Sequence, residues 1–225
     1  MLVATTPKDA LDWENGSKND PVRNDLIIPR LADFIEKERP SQILDLGAGT
    51  GYISRNISSK LSYRPIWNLV DTNSDRLSFG RQLAGDIYHL EITHGDFMSE
   101  EVCLGPADLA LLIFTLLEVS FDQEAAKRIG SLVSENGHLA VVLPDVLQDL
   151  IAIEDSHDAL NRYILGATEL DKVDPFTGQS YPFRATRTEL IIEAMNNVGF
   201  LLQQLSLLQN DLDRIYLMIF KKRRL

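Results

Sequence analysis

Three glycines at alternate positions, Gly47, Gly49 and Gly51, stand between a short apolar run and a segment of helical periodicity. Asp45 lies just ahead of them, and Asp71 lies 20 positions beyond the last. A strand, a glycine turn and a helix in that order bring bare backbone amides up against a ligand, because residues without Cβ permit both the turn and the close approach. An acid about twenty positions past such a turn is where a βαβ unit meets the ribose hydroxyls of a nucleotide-like ligand. A carboxylate accepts hydrogen bonds from both hydroxyls of a vicinal diol. Asp71 also has a plainer reading, as a cap for the helix that follows it; position and spacing favour the ligand. The glycine spacing is G-x-G-x-G, one residue shorter than the dinucleotide fingerprint G-x-G-x-x-G. Nicotinamide enzymes do not require an acid at the place of Asp45.

The elements that must position these residues alternate between strand and helix. Ile43–Leu46 predicts a buried parallel strand and Tyr52–Leu61 its helix. Pro65–Asp71 predicts a second strand, with Thr72-Asn73-Ser74-Asp75 supplying caps for a helix through Leu83. Ile87–Thr93 and the strongly apolar Leu109–Phe114 predict strands three and four. A helix is expected over Phe121–Glu135, closed by Asn136-Gly137, and then a fifth strand over Leu139–Leu143. Val146–Leu170 reads as helical, 174–178 as a turn, and Tyr181–Arg184 as an extended strip. Thr186 and Glu189 have capping-box spacing for a helix to about Val198. Two consecutive strands close the chain, from Gly199-Phe200 and over Arg214–Lys221, and so predict an antiparallel hairpin. Upstream, Pro21–Lys37 carries an apolar stripe broken or restarted at Pro29, and Arg23 and Asn24 precede that stripe. Residues 1–20 are polar and aperiodic, with a turn at Asn15-Gly16-Ser17.

An acid followed by G-x-G-x-G resembles the first motif of the class I S-adenosylmethionine-dependent methyltransferases, and the likeness extends from about Arg23 to the C-terminus. It implies a Rossmann-like α/β fold: a seven-stranded, mostly parallel sheet of order 3-2-1-4-5-7-6, with an antiparallel C-terminal hairpin and helices on both faces. The implied cofactor is S-adenosyl-L-methionine, leaving as S-adenosyl-L-homocysteine. It would be held by Asp45, Leu46, Gly47, Ala48, Gly49, Gly51 and Tyr52, by Asp71 and Thr72, by Asp96 and Phe97 at the adenine, and by Phe114. The whole of 1–225 is then one methyltransferase domain, with 1–37 an N-terminal lid or helical segment and 145–186 a substrate-cap insertion. Trp13 is the lid aromatic, although a disordered leader also fits those residues. Tyr163, Tyr181, Phe183 and Arg184 are substrate-pocket candidates by position only, and packing of the cap onto the sheet is the plainer reading, slightly favoured. His157 is the histidine placed to act as a general base, with a surface position on a long helix as the plainer reading. His138, on the amino side of the sheet, is structural. The Asp/Asn-Pro-Pro-Tyr/Phe signature of amino-methylating enzymes is absent after strand four, which points to the small-molecule branch.

Composition narrows the class further. Hydrophobic residues make up 44% and charged residues 24% of 225, ordinary for a globular domain. A net charge of −11 argues against a surface that grips nucleic-acid backbone. One cysteine, Cys103, rules out an internal disulfide and fits a reducing compartment. No secretory pattern and no membrane-length apolar run is present, so a cytoplasmic location is expected. Only Asp145 is placed to serve a divalent metal, and no metal is expected. The expected partner is a small-molecule methyl acceptor; a homodimer is compatible. Methyl transfer from a sulfonium to oxygen, nitrogen or carbon needs alignment and exclusion of water more than a fixed base. An inactive S-adenosylmethionine-binding regulator or scaffold, or a protein or nucleic-acid methyltransferase, is the alternative.

Overall fold

The computed structural model describes residues 7–85, 89–147, 150, 157–164, 169–173, 180–211 and 213–224. Seven strands form one sheet: β1 (Gln42–Leu46), β2 (Ile66–Asp71), β3 (His89–His94), β4 (Ala107–Ile113), β5 (Val133–Pro144), β8 (Phe200–Gln209) and β9 (Arg214–Lys222). Their order is β3-β2-β1-β4-β5-β9-β8. Strands β1 to β5 pair in parallel, and β9 runs antiparallel between β5 and β8. The alternation predicted from the sequence and its closing hairpin are both present.

Side-chain alternation divides the core between the two faces of the sheet. Leu44 and Leu46 of β1, Ala110 and Leu112 of β4, and Leu139 and Val141 of β5 pack on one face with α5 (Gln123–Ser131) and α7 (Thr188–Asn197). Ile43, Leu109, Leu111, Ala140 and Val142 pack on the other with α2 (Ile28–Glu38) and α3 (Tyr52–Ser58). A strand sealed on both faces needs a near-continuous apolar run, which explains the composition of β4. The helix α4 (Ser74–Ala84) starts as predicted, with the Asn73 side chain accepting from the amides of Asp75 and Arg76.

Four expectations need correction. Residues 7–18 form a helix, α1, through the expected Asn15-Gly16-Ser17 turn, because tertiary contacts described below hold it. The expected restart at Pro29 is present: a π-helical turn over Val22–Ile27 gives way to α2, with Pro29 in its first turn, where its missing N–H is harmless. The helix after β4 stops at Ser131, not Glu135: Val133 pairs with Ala107 in the sheet, and Asn136-Gly137 sits in an irregularity of β5. Gly137 is required there because a Cβ would lie 2.9 Å from the Asp108 carbonyl oxygen. Val146–Leu170 is not one helix; α6 (His157–Ile164) is followed by β6 (Glu169–Val173), which pairs antiparallel with β7 (Ser180–Arg184). Burial of Leu170 with Val146, Leu150 and Ala185 gives that hairpin its own small core. The Thr186–Glu189 capping box does not form: Thr186 Oγ1 donates to the Leu116 carbonyl at 3.3 Å, and Arg187 is the uncapped N-cap of α7. The predicted start of β3 at Ile87 lies outside the described residues.

Candidate functional site

The site is built at the carboxyl ends of β1, β2 and β4, where open α/β sheets place their ligands. All three loop glycines adopt positive φ: Gly47 at 78°, Gly49 at 58° and Gly51 at 67°. That region is strained for residues bearing Cβ. The loop is also tightly enclosed. A Cβ on Gly47 would lie 2.6 Å from Thr115 Cγ2, and one on Gly51 would lie 2.4 Å from Leu69 Cδ1. From below, α4 approaches so closely that a Cβ on Gly80 would lie 2.1 Å from the Thr50 carbonyl oxygen.

Most loop amides turn inward rather than toward a ligand. Gly47 and Ala48 both donate to the Val70 carbonyl, at 2.8 and 3.1 Å, and Gly51 donates to the Ala48 carbonyl at 2.9 Å. The Gly49 amide is directed differently and donates to Asp71 Oδ2 at 2.7 Å. The other Asp71 oxygen accepts from the Asn73 amide at 2.8 Å. Asp71 therefore joins the loop to the start of α4, combining the helix-side role and the position facing the glycine turn.

Asp45 is 4% exposed and accepts from Ser54 Oγ on α3. Burial pushes its carboxyl up to about 6 from the ordinary 3.8; the Ser54 bond opposes this and the charge of Asp71 adds to it. A cation beside Asp45 would relieve both the desolvation and the repulsion, so a ligand carrying positive charge suits the site. On the opposite wall the π-helical turn places Asn24 Oδ1 2.7 Å from the donating hydroxyl of Tyr52. The Arg23 guanidinium lies 5.3 Å from the Phe114 ring centroid. Phe114 itself has φ 60°, turning the chain sharply off the end of β4. Thr115 Oγ1 then donates to the Leu46 carbonyl at 2.7 Å and ties that turn to β1.

The remaining candidates separate into those near the loop and those elsewhere. Trp13 on α1 lies over Gly49, its Nε1 2.5 Å from where a Cβ would stand. Thr72 is exposed, and its carbonyl accepts from His94 Nε2 at 3.1 Å. Asp96 is exposed beyond β3 and accepts from the Met98 amide at 2.8 Å. Phe97, only 5% exposed, packs into the core with Leu46 and Val70 rather than standing open at the site. Arg184 pairs with Glu169 at 3.0 Å across the β6–β7 hairpin, and Tyr163 lies 4.9 Å beneath the Arg187 guanidinium. Arg184 is thus engaged within the hairpin, and Tyr163 by the start of α7. The side chains of His157, Tyr181 and Phe183 lie outside the described residues. Sequence reasoning missed Glu14, Arg55 and Arg76, which converge on the loop from three elements; nothing in their spacing signals it.

The sheet order, the left-handed glycine turn after β1 and the acid ending β2 coincide with the implied architecture. This is the class I methyltransferase fold. No family model matches the sequence. Among solved structures, the PH0226 protein of Pyrococcus horikoshii is 15% identical, with 93% of this chain and 99% of that chain covered at a TM-score of 0.68. A magnesium protoporphyrin IX methyltransferase from Synechocystis with bound S-adenosylhomocysteine is 12% identical, with 97% and 95% covered at 0.69. A SAM-dependent methyltransferase from Methanosarcina mazei is 17% identical, with 81% and 92% covered at 0.62. One curated relative, a protein-L-isoaspartate O-methyltransferase of Vibrio parahaemolyticus, is 25% identical over 133 residues, 59% of this chain. The match spans only 60% of that relative's length. No helix among the described residues is long and apolar enough to cross a membrane.

Proposed function

We propose that this protein is an S-adenosylmethionine-dependent methyltransferase of the cytoplasm that acts on a small-molecule acceptor. The observation that carries the reading is the positive-φ glycine turn set between buried Asp45 and the carboxylate of Asp71 at the carboxyl ends of the methyltransferase sheet. Asp45 and Asp71 supply negative charge for a cationic amino-acid portion and acceptors for a ribose diol, while Gly49 keeps the loop free of side-chain bulk. The Asp96 loop, Tyr52 and Phe114 complete the pocket in this reading. Bound S-adenosylmethionine supplies an activated methyl group for in-line displacement by an acceptor oxygen, nitrogen or carbon. The chain's own contribution is alignment and the exclusion of water. An amine acceptor that is already neutral needs no base; for a hydroxyl acceptor, His157 of α6 is the side chain assigned to proton removal. The insertion carrying α6, β6 and β7 is the substrate cap.

A second reading, methylation of a protein carboxylate, is favoured by the likeness to the Vibrio protein-L-isoaspartate O-methyltransferase. Titration calorimetry with S-adenosylmethionine and S-adenosylhomocysteine tests the cofactor, with micromolar binding expected and no detectable heat overturning the proposal. Release of S-adenosylhomocysteine with a panel of small phenols, amines and carboxylates, run beside an isoaspartyl peptide, separates the two acceptors. Binding without turnover across the panel would favour the regulatory alternative.

A further inference from the structure

The helix α1 is fastened to the cofactor loop by charge and very little by apolar burial. Its inner stripe is Ala10, Trp13, Glu14 and Ser17, at the i, i+3, i+4, i+7 spacing of one helix face. Ala10, 1% exposed, is the one aliphatic side chain in that stripe, and Leu11 faces outward at 47% exposure. A helix of 12 residues with Gly16 near its end has little stability of its own. The polar contacts are correspondingly specific. Glu14 accepts from Arg55 at 2.5 Å and from Thr50 Oγ1 at 2.5 Å, while the Arg55 guanidinium also donates to the Thr50 carbonyl. Asp9 accepts from Arg76 Nε at 2.9 Å, and the same guanidinium lies 3.9 Å from the Trp13 ring centroid. Both cations belong to helices that flank the loop, α3 and α4. Together they hold the Trp13 indole against the bare face of Gly49.

We infer that α1 is an ionically latched gate on the glycine loop, and that release of the Glu14–Arg55 and Asp9–Arg76 pairs sets the rate at which a nucleoside cofactor exchanges. This rests on the proposed cofactor. Closed, the gate puts an indole over the loop residue that approaches the ligand; open, it exposes Gly49 and returns Arg55, 8% exposed in the closed state, to solvent. Neutralising Glu14 leaves that buried guanidinium without its counter-charge only while the gate is shut, so the change favours opening.

The chain has two tryptophans, and Trp67 is fully buried, so a polar quencher reports on Trp13. Acrylamide quenching of the full chain and of W13F isolates that signal without any ligand. Glu14→Gln and Asp9→Asn are expected to raise the Trp13 quenching constant at least threefold. In stopped flow they are expected to speed both association and dissociation of S-adenosylhomocysteine about tenfold, with far less change in Kd. Hydrogen exchange should show the faster opening confined to residues 7–18, which distinguishes a gate from general loosening. Quenching and exchange rates within twofold of the parent would overturn the inference, as would accelerated exchange spread through β1 and β4. If the compound fails to bind the parent, the cofactor proposal falls, and the quenching and hydrogen-exchange arms still decide whether α1 is a latched gate.

Discussion

Asp45→Asn should make the protein more stable at neutral pH while weakening its hold on the cofactor. The carboxyl is buried, and its pKa of about 6 stands roughly two steps above the ordinary 3.8. Because the folded value is the higher one, the fold binds a proton that the unfolded chain releases between those two values. The stabilisation from that proton is complete below about 3.8 and is lost as pH rises through about 6. At pH 7 the ionised carboxylate therefore costs the fold up to ~3 kcal/mol, taking ~1.4 kcal/mol for each pKa step. Asparagine is close in shape, and its oxygen can still accept from Ser54 Oγ, so the substitution removes the charge and keeps the bond. We expect a gain of about 1–3 kcal/mol at pH 7.5, read from urea unfolding, and a rise in Tm of ~2–4 °C per kcal/mol. The gain should shrink toward zero as the pH is lowered to 4. In calorimetry at pH 7.5 the same variant should bind S-adenosylhomocysteine at least tenfold more weakly, about 1.4 kcal/mol, because a cationic ligand loses its counter-charge. A stability difference that does not change between pH 4 and 7.5, or a variant less stable than the parent at pH 7.5, would refute the reasoning.

Three further outcomes follow from the same geometry. Gly80→Ala should destabilise by about 1–3 kcal/mol in denaturant unfolding, since the new methyl meets the fixed Thr50 carbonyl and outweighs alanine's better helix propensity of ~1 kcal/mol. A neutral or stabilising result would show that α4 can withdraw from the loop without loss. Asp71→Asn turns one amide donor toward an existing N–H, so stability should fall by ~1 kcal/mol and calorimetric affinity for the cofactor at least tenfold. Affinity within twofold of the parent would remove Asp71 from the site. Arg128→Ala strips donors from the carbonyls of Phe97, Ser99 and Val102, and should lower stability by about 2–3 kcal/mol in urea unfolding. A loss below about half a kcal/mol would mean that the loop after β3 holds itself, as an ordinary surface site does.

How far the amino-acid sequence reached depended on whether an interaction was local. The glycine turn, the acids at the ends of β1 and β2, the capping Asn73 and the hairpin ending are recorded within a few residues of one another, in side-chain type and period, and the structure has them in place. The alternation of strand and helix follows from strands that must be apolar on both faces. What the sequence misplaced lay where distant partners outweigh local pattern. Asn136-Gly137 looks like a helix terminus, but Val133 gains more by pairing with Ala107 than by extending α5. Residues 15–17 look like a turn, yet the neighbouring Glu14–Arg55 pair fixes α1 across 41 positions of chain. The inward direction of the loop amides was likewise undetermined, because it depends on where the Val70 carbonyl comes to rest. Sequence alone settled the alternation of strand and helix and the loop at its centre, since backbone conformation and burial period are properties of neighbouring residues. Only the tertiary structure decided what covers that loop and where its hydrogen bonds go, because an ion pair or a donated N–H depends on separation in space and leaves no periodic trace along the chain.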